Sequence, residues 1–178
     1  PKDFLFTRSD PFLTLARSIV GQQISVKAAQ SVWGKLILKI GKLSPKYIIK
    51  SHPNTIKSAG LSRQKVLYLK NLAKAFVNKE IKLHEWYSMS DNEIIDDLTK
   101  IKGIGRWTAE MFLIFNLCRP DIFPIDDIGM IKGICKLYNL DYPIKKEELI
   151  QIGDKWKPYR SVATWYLWRS LDPIPVEY

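Results

Sequence analysis

The chain has few of the residues on which several classes of protein depend. Its 178 residues include two cysteines and two histidines. An iron–sulfur cluster needs four cysteine ligands, so no cluster is expected. The spacing of these residues also matches no zinc site. Cys118 and Cys135 lie far apart in apolar surroundings, which predicts two buried free thiols and a reducing compartment.

Sequence patterns of other classes are missing as well. No apolar run reaches the length of a transmembrane helix. No signal peptide is visible after Pro1, although sequence upstream of it is not given. The chain has no GxxxxGK loop and no nucleophile elbow, so nucleotide hydrolysis and serine-nucleophile chemistry have no support.

No confident strand pattern, repeat or low-complexity segment occurs, while 46% of the residues are apolar. We therefore predict an all-α fold with two lobes and a cleft between them. The predicted lobes are 11–117 and 118–178, with residues 1–10 packing on the second lobe as an option.

Acidic residues are scarce in the first half of the chain. Residues 1–89 hold 16 Lys and Arg against 4 Asp and Glu, whereas residues 90–178 hold 12 against 14. The net charge of +10 indicates a polyanionic partner. The alternative is that the lysines form solvated helix faces. A membrane surface is a weaker alternative, because no concentrated basic amphipathic helix is present.

Helix boundaries are marked by capping residues. Asp10 before Pro11, and then Ser25, Ser62 and Ser90, are typical N-caps, and Gly41 is typical of a helix end. A later helix is predicted from Asp126-Asp127 to Tyr138, and the last helix from Pro158. Gly129 and Gly133 in the first of these suggest close approach by a neighbouring backbone, either the helix of residues 107–117 or DNA.

The stretch 98–127 is the most informative part of the sequence. Gly103 and Gly105 separate a polar helical run from an amphipathic one, and Ile101 and Ile104 would anchor the turn between the helices. Bare backbone amides at the start of a helix bind phosphate. The pattern predicts a helix-hairpin-helix that grips a DNA strand by its backbone. The alternative is a tight interhelical turn without this function. The predicted backbone contacts are Gly103, Gly105, Trp107 and Thr108.

Four motifs occur in a fixed order: GQQIS at 21–25, KIKGIGRWTAEM at 100–111, PIDD at 124–127 and WKPYRS at 156–161. Together they resemble the helix-hairpin-helix DNA glycosylases with a Gly/Pro-rich loop and an essential Asp, the HhH-GPD superfamily. The AlkA-type 3-methyladenine DNA glycosylase II branch is the most similar, from about Pro11 to Asp172. The two cysteines argue against the endonuclease III and adenine-mismatch branches, whose members commonly carry a cluster.

The resemblance implies that Asp127 is the catalytic carboxylate and that Asp126 supports it. Breaking an N-glycosidic bond develops positive charge on the deoxyribose, which a shielded carboxylate stabilises. The carboxylate can also orient or deprotonate the attacking water. The alternative is that both residues are ordinary N-caps.

Position 107 separates two reaction types within the resembled family. Bifunctional relatives carry a lysine there that forms a Schiff base and cuts the strand. This chain has Trp107, which implies a monofunctional enzyme. The implied base pocket contains Trp107, Met111 and Trp168, to which we add Trp165 and its neighbour Tyr166, although Trp165 matches no known pocket position. Cationic alkylpurines would stack on such rings. The alternative is that the aromatic residues form core.

Two further sites follow from the resemblance. The loop with Gln22 and Gln23 would reach the minor groove, where Gln23 fills the gap left by a flipped nucleotide. The alternative is an exposed interhelical turn. A structural Na+ or K+ at the carbonyls of Lys102, Gly103 and Gly105 is compatible with the family, but the sequence does not show it. No other cofactor is expected.

The sequence thus predicts a monomeric, intracellular DNA glycosylase. The expected substrates are alkylated purines of the 3-methyladenine and 7-methylguanine class in duplex DNA. The alternatives are a glycosylase for an oxidised or deaminated purine, and a non-catalytic helix-hairpin-helix DNA-binding module. Some relatives carry an additional N-terminal β-rich domain. This sequence does not contain one, and a truncated chain and a compact form are both open alternatives.

Overall fold

The computed structural model describes residues 10–171, in which helices are joined by turns and no β-strand occurs. The all-α prediction is confirmed. The ten helices of this part of the chain are α1 (Pro11–Gly21), α2 (Val26–Ile40), α3 (Pro45–Lys50), α4 (Pro53–Lys57), α5 (Arg63–Val77), α6 (Asp91–Thr99), α7 (Arg106–Phe115), α8 (Ile128–Tyr138), α9 (Lys146–Asp154) and α10 (Arg160–Leu171). None of them combines the length and apolar character that crossing a membrane requires.

Five of the longer helices begin at a side chain that accepts a hydrogen bond from a backbone N–H of the first turn. These N-caps are Asp10, Ser25, Ser62, Ser90 and Asp127. At Ser90 the bond is reciprocal, because the Glu93 carboxylate accepts from the Ser90 amide. The four caps predicted from sequence up to Ser90 are confirmed, and Gly41 ends α2 with a φ of +75°.

Buried apolar side chains form two clusters. The larger one is built from α1 to α7 and also takes in Ile122 and Trp168. The smaller one joins α8, α9 and α10, and its fully formed core consists of Met130, Ile134, Leu149, Ile152 and Leu167. Because Leu167 and Trp168 are neighbours in α10 but belong to different clusters, α10 ties the two cores together.

The predicted lobe limits at 117 and 118 stay a prediction, although the two clusters divide near them. Some of the predictions concern parts of the chain outside the described residues. These are the placement of residues 1–9, the end of the second lobe at 172–178, and Asp172 as the last matched residue.

The link between α7 and α8 is fixed to the start of α10. The Ser161 hydroxyl donates to the carbonyl of Arg119 at 2.6 Å and accepts from the amide of Ile122 at 2.9 Å. The Arg160 guanidinium donates to both carboxylate oxygens of Asp121 at 2.7 and 2.8 Å. These contacts hold the extended segment that leads to Asp127.

Glycines in α8 allow close approach by α10, whereas the sequence suggested the hairpin helix or DNA as the neighbour. A Cβ on Gly133 would lie 2.9 Å from Cβ of Leu167 and 3.2 Å from its carbonyl oxygen. A Cβ on Gly129 would lie 3.1 Å from Cδ1 of Trp168. The glycine pair therefore brings Trp168 next to the start of α8.

Two other expectations differ from the structure. Cys118 is exposed, because it lies in the turn after α7 with a φ of +51°, whereas Cys135 is buried as predicted. The last helix begins at Arg160 and not at Pro158, because the amide of Tyr159 closes a turn onto the carbonyl of Trp156 at 2.7 Å.

Candidate functional site

The turn between α6 and α7 forms the predicted hairpin. Ile101 and Ile104 are buried in the larger core, and the amide of Ile104 donates to the carbonyl of Ile101 at 3.0 Å. Gly105 is the N-cap of α7, and no side chain caps this helix. A ligand can therefore approach this end of α7, and the dipole of the helix favours an anion there.

The two hairpin glycines serve different needs. Gly103 has a φ of +110°, and a Cβ there would lie 2.3 Å from Cγ of Tyr68. Gly105 has a φ of −93° in the extended region, and a Cβ there would meet nothing within 4 Å. The fold requires glycine at 103 but not at 105. The bare backbone at 105 leaves room for a group from outside the protein.

The predicted wedge loop lies against the hairpin. The side-chain amide of Gln22 donates to the carbonyl of Gly103 and to the hydroxyl of Thr108, both at 3.1 Å. Gln23 is exposed and has a φ of +57°. The structure thus brings Gln22 to the hairpin as an internal contact, while the Gln23 side chain is presented to solvent.

A polar cleft of about 410 Å³ lies between the wedge loop, the start of α5 and the hairpin. Its lining residues are Gln22, Gln23, Ser62, Gln64, Lys65, Tyr68, Gly103, Ile104 and Gly105. The Lys65 ammonium donates to the carbonyls of Val20 and Gln22, both at 2.7 Å, and burial lowers its pKa. The loop is therefore held from α5 as well as from α7.

Asp127 is the centre of a second constellation, at the start of α8. Its side chain is the N-cap and is only 7% exposed. Oδ1 accepts from the amide of Met130 at 2.6 Å and from Nε1 of Trp168 at 2.8 Å. Oδ2 accepts from Nε1 of Trp107 at 2.7 Å. Three N–H donors therefore hold this buried carboxylate in place.

This arrangement leaves a limited number of lone pairs on Asp127. Each carboxylate oxygen can accept about two hydrogen bonds. Both positions on Oδ1 are filled, whereas Oδ2 accepts one bond from Trp107. A single acceptor position on Oδ2 remains for a water molecule or for a developing positive charge.

Asp126 has a different environment. Its side chain is 61% exposed and pairs with the Lys146 ammonium at 2.6 Å. One role expected for Asp126 was that of an N-cap. The structure contradicts it, because Asp127 is the N-cap of α8. Of the two neighbouring carboxylates, only Asp127 is shielded from water.

The predicted pocket residues are not all in one place. Trp107 and Trp168 reach Asp127 through their indole nitrogens, and Trp168 stacks on Phe115 with ring centroids 5.8 Å apart. Met111 is fully buried in the larger core. Trp165 packs edge-on against Tyr166.

Tyr166 lines a separate apolar cavity of about 310 Å³ between α8 and α10. Leu137 and Trp156 form other parts of its wall. The structure therefore gathers Trp107 and Trp168 at Asp127, while Tyr166 faces a different cavity.

Glu110 is a residue of this region that the sequence analysis did not single out. It is 4% exposed and accepts from Nε of Arg106 at 2.9 Å, one turn earlier in α7. Burial raises its pKa to about 7, Arg106 opposes the rise, and Asp126 and Asp127 add to it. The spacing of four residues between Arg106 and Glu110 was a signal for the ion pair. Its burial beside Asp127 could not be inferred from spacing.

The predicted cation site involves carbonyls that already accept hydrogen bonds. The carbonyl of Gly103 accepts from Gln22, and that of Lys102 accepts from the Asn71 side chain at 3.4 Å. The cation stays a prediction, and no reaction step is derived from it. Within residues 10–171, no group of three His, Cys, Asp or Glu side chains is placed to hold a metal ion.

Comparisons with known proteins identify the family of the chain. The model of the HhH-GPD superfamily base excision DNA repair proteins matches residues 16–158. A DNA-3-methyladenine glycosylase of Schizosaccharomyces pombe is 34% identical over 167 residues, which span 92% of this chain and 73% of the relative. One from Saccharomyces cerevisiae is 34% identical over 200 aligned positions, covering 92% of this chain and 67% of the relative.

Solved structures show the same similarity. The complex of the S. pombe 3-methyladenine DNA glycosylase with abasic DNA superposes with a TM-score of 0.88 at 30% identity. That alignment covers 100% of this chain and 88% of the other. A DNA-3-methyladenine glycosidase of Bacillus halodurans gives a TM-score of 0.82 at 34% identity, with 99% and 82% coverage.

Proposed function

The chain belongs to the HhH-GPD superfamily of base excision DNA repair proteins, and on that premise we propose that it hydrolyses the N-glycosidic bond of alkylated purines in duplex DNA without cutting the strand. The observation that carries this proposal is the shielded Asp127 carboxylate, held by two indole N–H groups and one backbone amide. Its place of action is the compartment that holds the DNA.

DNA binding is the first task of the site. The backbone amides at the start of α7, next to Gly105, bind a phosphate of the damaged strand. A base inside a duplex cannot be reached by Asp127, so the nucleotide must leave the stack. Gln23 is the side chain placed to occupy the gap.

Bond cleavage is the second task. The C1′–N bond breaks, and its electron pair stays with the base, which neutralises the positive charge of an N3- or N7-methylated purine. No proton donor is needed for such a base. Asp127 stabilises the positive charge that develops on the sugar. Water forms the new bond to C1′, and the free acceptor position on Oδ2 of Asp127 orients it and accepts its proton.

The absence of strand cutting follows from Trp107. An indole nitrogen has no amine that can form a Schiff base, and this one is bonded to Asp127. Lys102 lies exposed in the hairpin turn and does not occupy the position of that lysine. The expected product is an abasic site with an intact strand.

The experiment compares wild type with Asp127→Asn on methylated duplex DNA. We measure base release, DNA affinity, and strand integrity before and after alkali. We expect release of methylated purines by the wild type, at least about a hundredfold less release by Asp127→Asn, and similar DNA affinity for both. Asp126→Asn, at the exposed neighbouring position, is the matched control.

The other outcomes select the alternatives. Equal release by wild type and Asp127→Asn would remove Asp127 from the mechanism. DNA binding without release of any lesion base would assign a non-catalytic binding module. Release of only oxidised or deaminated purines would change the substrate class. Strand cuts without alkali would contradict the inference from Trp107.

A further inference from the structure

The loop between α1 and α2 is fixed at one residue from two directions. The Gln22 side chain donates to Gly103 and Thr108 of the hairpin at 3.1 Å. The Gln22 carbonyl accepts from the Lys65 ammonium at 2.7 Å. Lys65 also binds the carbonyl of Val20, so the end of α1 belongs to the same network. The loop is thereby joined to α5 and to α7.

The next residue, Gln23, has a conformation that needs such support. Its φ of +57° lies in the left-handed region, which is unfavourable for a residue with a side chain. Strained backbone of this kind persists only where the surroundings hold it. The contacts of Gln22 are the adjacent supports, and they direct the Gln23 side chain to solvent beside the hairpin.

We propose that Gln22 is a positioning residue for base extrusion, which fixes Gln23 at a set distance from the hairpin amides that hold the DNA backbone. The inference rests on the proposed function. A side chain that enters the duplex displaces a nucleotide only if the phosphate of the same strand is held relative to it. Gln22 connects these two points directly, through the carbonyl of Gly103 and the hydroxyl of Thr108.

The test uses Gln22→Met, which keeps the length of the side chain but removes the amide donor. Gln30→Met, an exposed position on α2, is the matched control. The first readout is the single-turnover rate of base release from methylated duplex DNA. The second is the fluorescence of 2-aminopurine opposite a tetrahydrofuran abasic site, which reports insertion into the gap without any chemistry. The third is affinity for undamaged duplex.

We expect Gln22→Met to release bases at least about tenfold more slowly, because a small misplacement of a positioning group has effects of this order. The 2-aminopurine response should shrink, while affinity for undamaged duplex stays within about twofold, because the hairpin amides are unchanged. Lys65→Met, which removes the second support, should change the same two readouts in the same direction. Gln30→Met should match the wild type in all three.

The inference is overturned if Gln22→Met keeps the wild-type rate and 2-aminopurine response. It is also overturned if this variant loses affinity for undamaged duplex in parallel with its thermal stability, because Gln22 would then support the fold in general. A wild type that releases no base would refute the proposed function alone. The 2-aminopurine comparison would still decide the role of Gln22.

Discussion

At the scale of single residues, the site is organised by donors that converge on one carboxylate. Asp127 accepts from the amide of Met130 and from the indoles of Trp107 and Trp168. Hydrogen bonds to a charged group are worth about 1.5–3 kcal/mol each. The two indole donors therefore fix the position of Asp127. On the proposed function, this is how both tryptophans contribute to the reaction, in addition to any contact with the base.

Trp107→Phe tests this role, because phenylalanine keeps an aromatic ring but donates no hydrogen bond. We expect the rate of base release to fall by roughly ten- to a hundredfold, which corresponds to about 1.5–3 kcal/mol. Single-turnover kinetics measures the change, and Trp33→Phe in α2 is the control. A wild-type rate in Trp107→Phe would show that two donors suffice for Asp127.

Glu110 makes stability depend on pH. Its pKa rises from 4.5 to about 7 on folding, mainly because of burial, with Asp126 and Asp127 adding to the rise and Arg106 opposing it. The folded state therefore binds this proton more tightly than the unfolded state. The contribution of the protonated Glu110 to the free energy of unfolding is fully present below pH 4.5, and it is lost as the pH rises through about 7. Above that, the ionised group costs up to about 3 kcal/mol.

Glu110→Gln should remove this dependence. We expect the variant to melt several degrees higher than wild type at pH 8 and at nearly the same temperature at pH 4.5. Thermal unfolding at the two pH values measures the difference, with Glu148→Gln on the exposed face of α9 as the control. A variant that loses stability at pH 8 would mean that the ion pair with Arg106 outweighs the cost of burial.

The sequence predicted the residues of the site better than their contacts. Asp127 and Trp107 were singled out because their motifs match the family, but the bond between their side chains joins positions 20 apart in the chain. Gln22 was predicted as part of the wedge, and its bond to Gly103 spans 81 positions. Such contacts depend on how helices pack, which local pattern does not encode.

At the scale of secondary structure, the hairpin separates a requirement of the fold from a requirement of the ligand. Glycine is needed at 103 because φ is positive there and the ring of Tyr68 leaves no room for a Cβ. Neither constraint applies to Gly105. The capping residues of the helices were predictable because each cap lies within three residues of its partner. The contact of α8 with α10 was not predictable, because Gly133 and Leu167 are far apart in the sequence and meet only in the folded chain.

Alanine substitutions at the two hairpin glycines should have opposite effects. Gly105→Ala should leave stability unchanged or raise it by up to about 1 kcal/mol, but weaken DNA binding because the methyl group lies where the phosphate approaches. Gly103→Ala should lose roughly 1–3 kcal/mol of stability through strain and contact with Tyr68. Thermal unfolding and fluorescence anisotropy with duplex DNA measure both. Gly105→Ala with wild-type affinity would place the phosphate elsewhere.

At the scale of the whole molecule, charge is distributed as unevenly as the sequence indicated. Residues 11–79, which run from α1 to just beyond α5, contain 13 Lys and Arg and no Asp or Glu. The carboxylates Glu110, Asp126 and Asp127 lie in the other half of the chain. On the proposed function, the basic part of the molecule attracts the DNA backbone, and Asp127 stabilises the sugar that becomes cationic.

DNA affinity should therefore fall steeply with salt, and the first half of the chain should supply most of the slope. Each phosphate contact contributes about 0.9 to the slope of log affinity against log salt concentration. Lys27→Gln, directly after the wedge loop, should lower the magnitude of the slope by about that amount. Lys155→Gln at the end of α9 should leave it unchanged. Binding titrations at several salt concentrations measure the slopes, and equal slopes for both variants would contradict this assignment.

The bond between Trp107 and Asp127 also constrains how this chain can diverge. The family resemblance implies a lysine at position 107 in relatives that cut the strand, and here Trp107 at that position donates a hydrogen bond to the carboxylate. A lineage that acquired the amine would lose the indole donor in the same step, and Oδ2 would face a cation in its place. On the proposed function, the residue at position 107 would therefore select between the two activities. We therefore expect a change from one activity to the other to need further substitutions around Asp127.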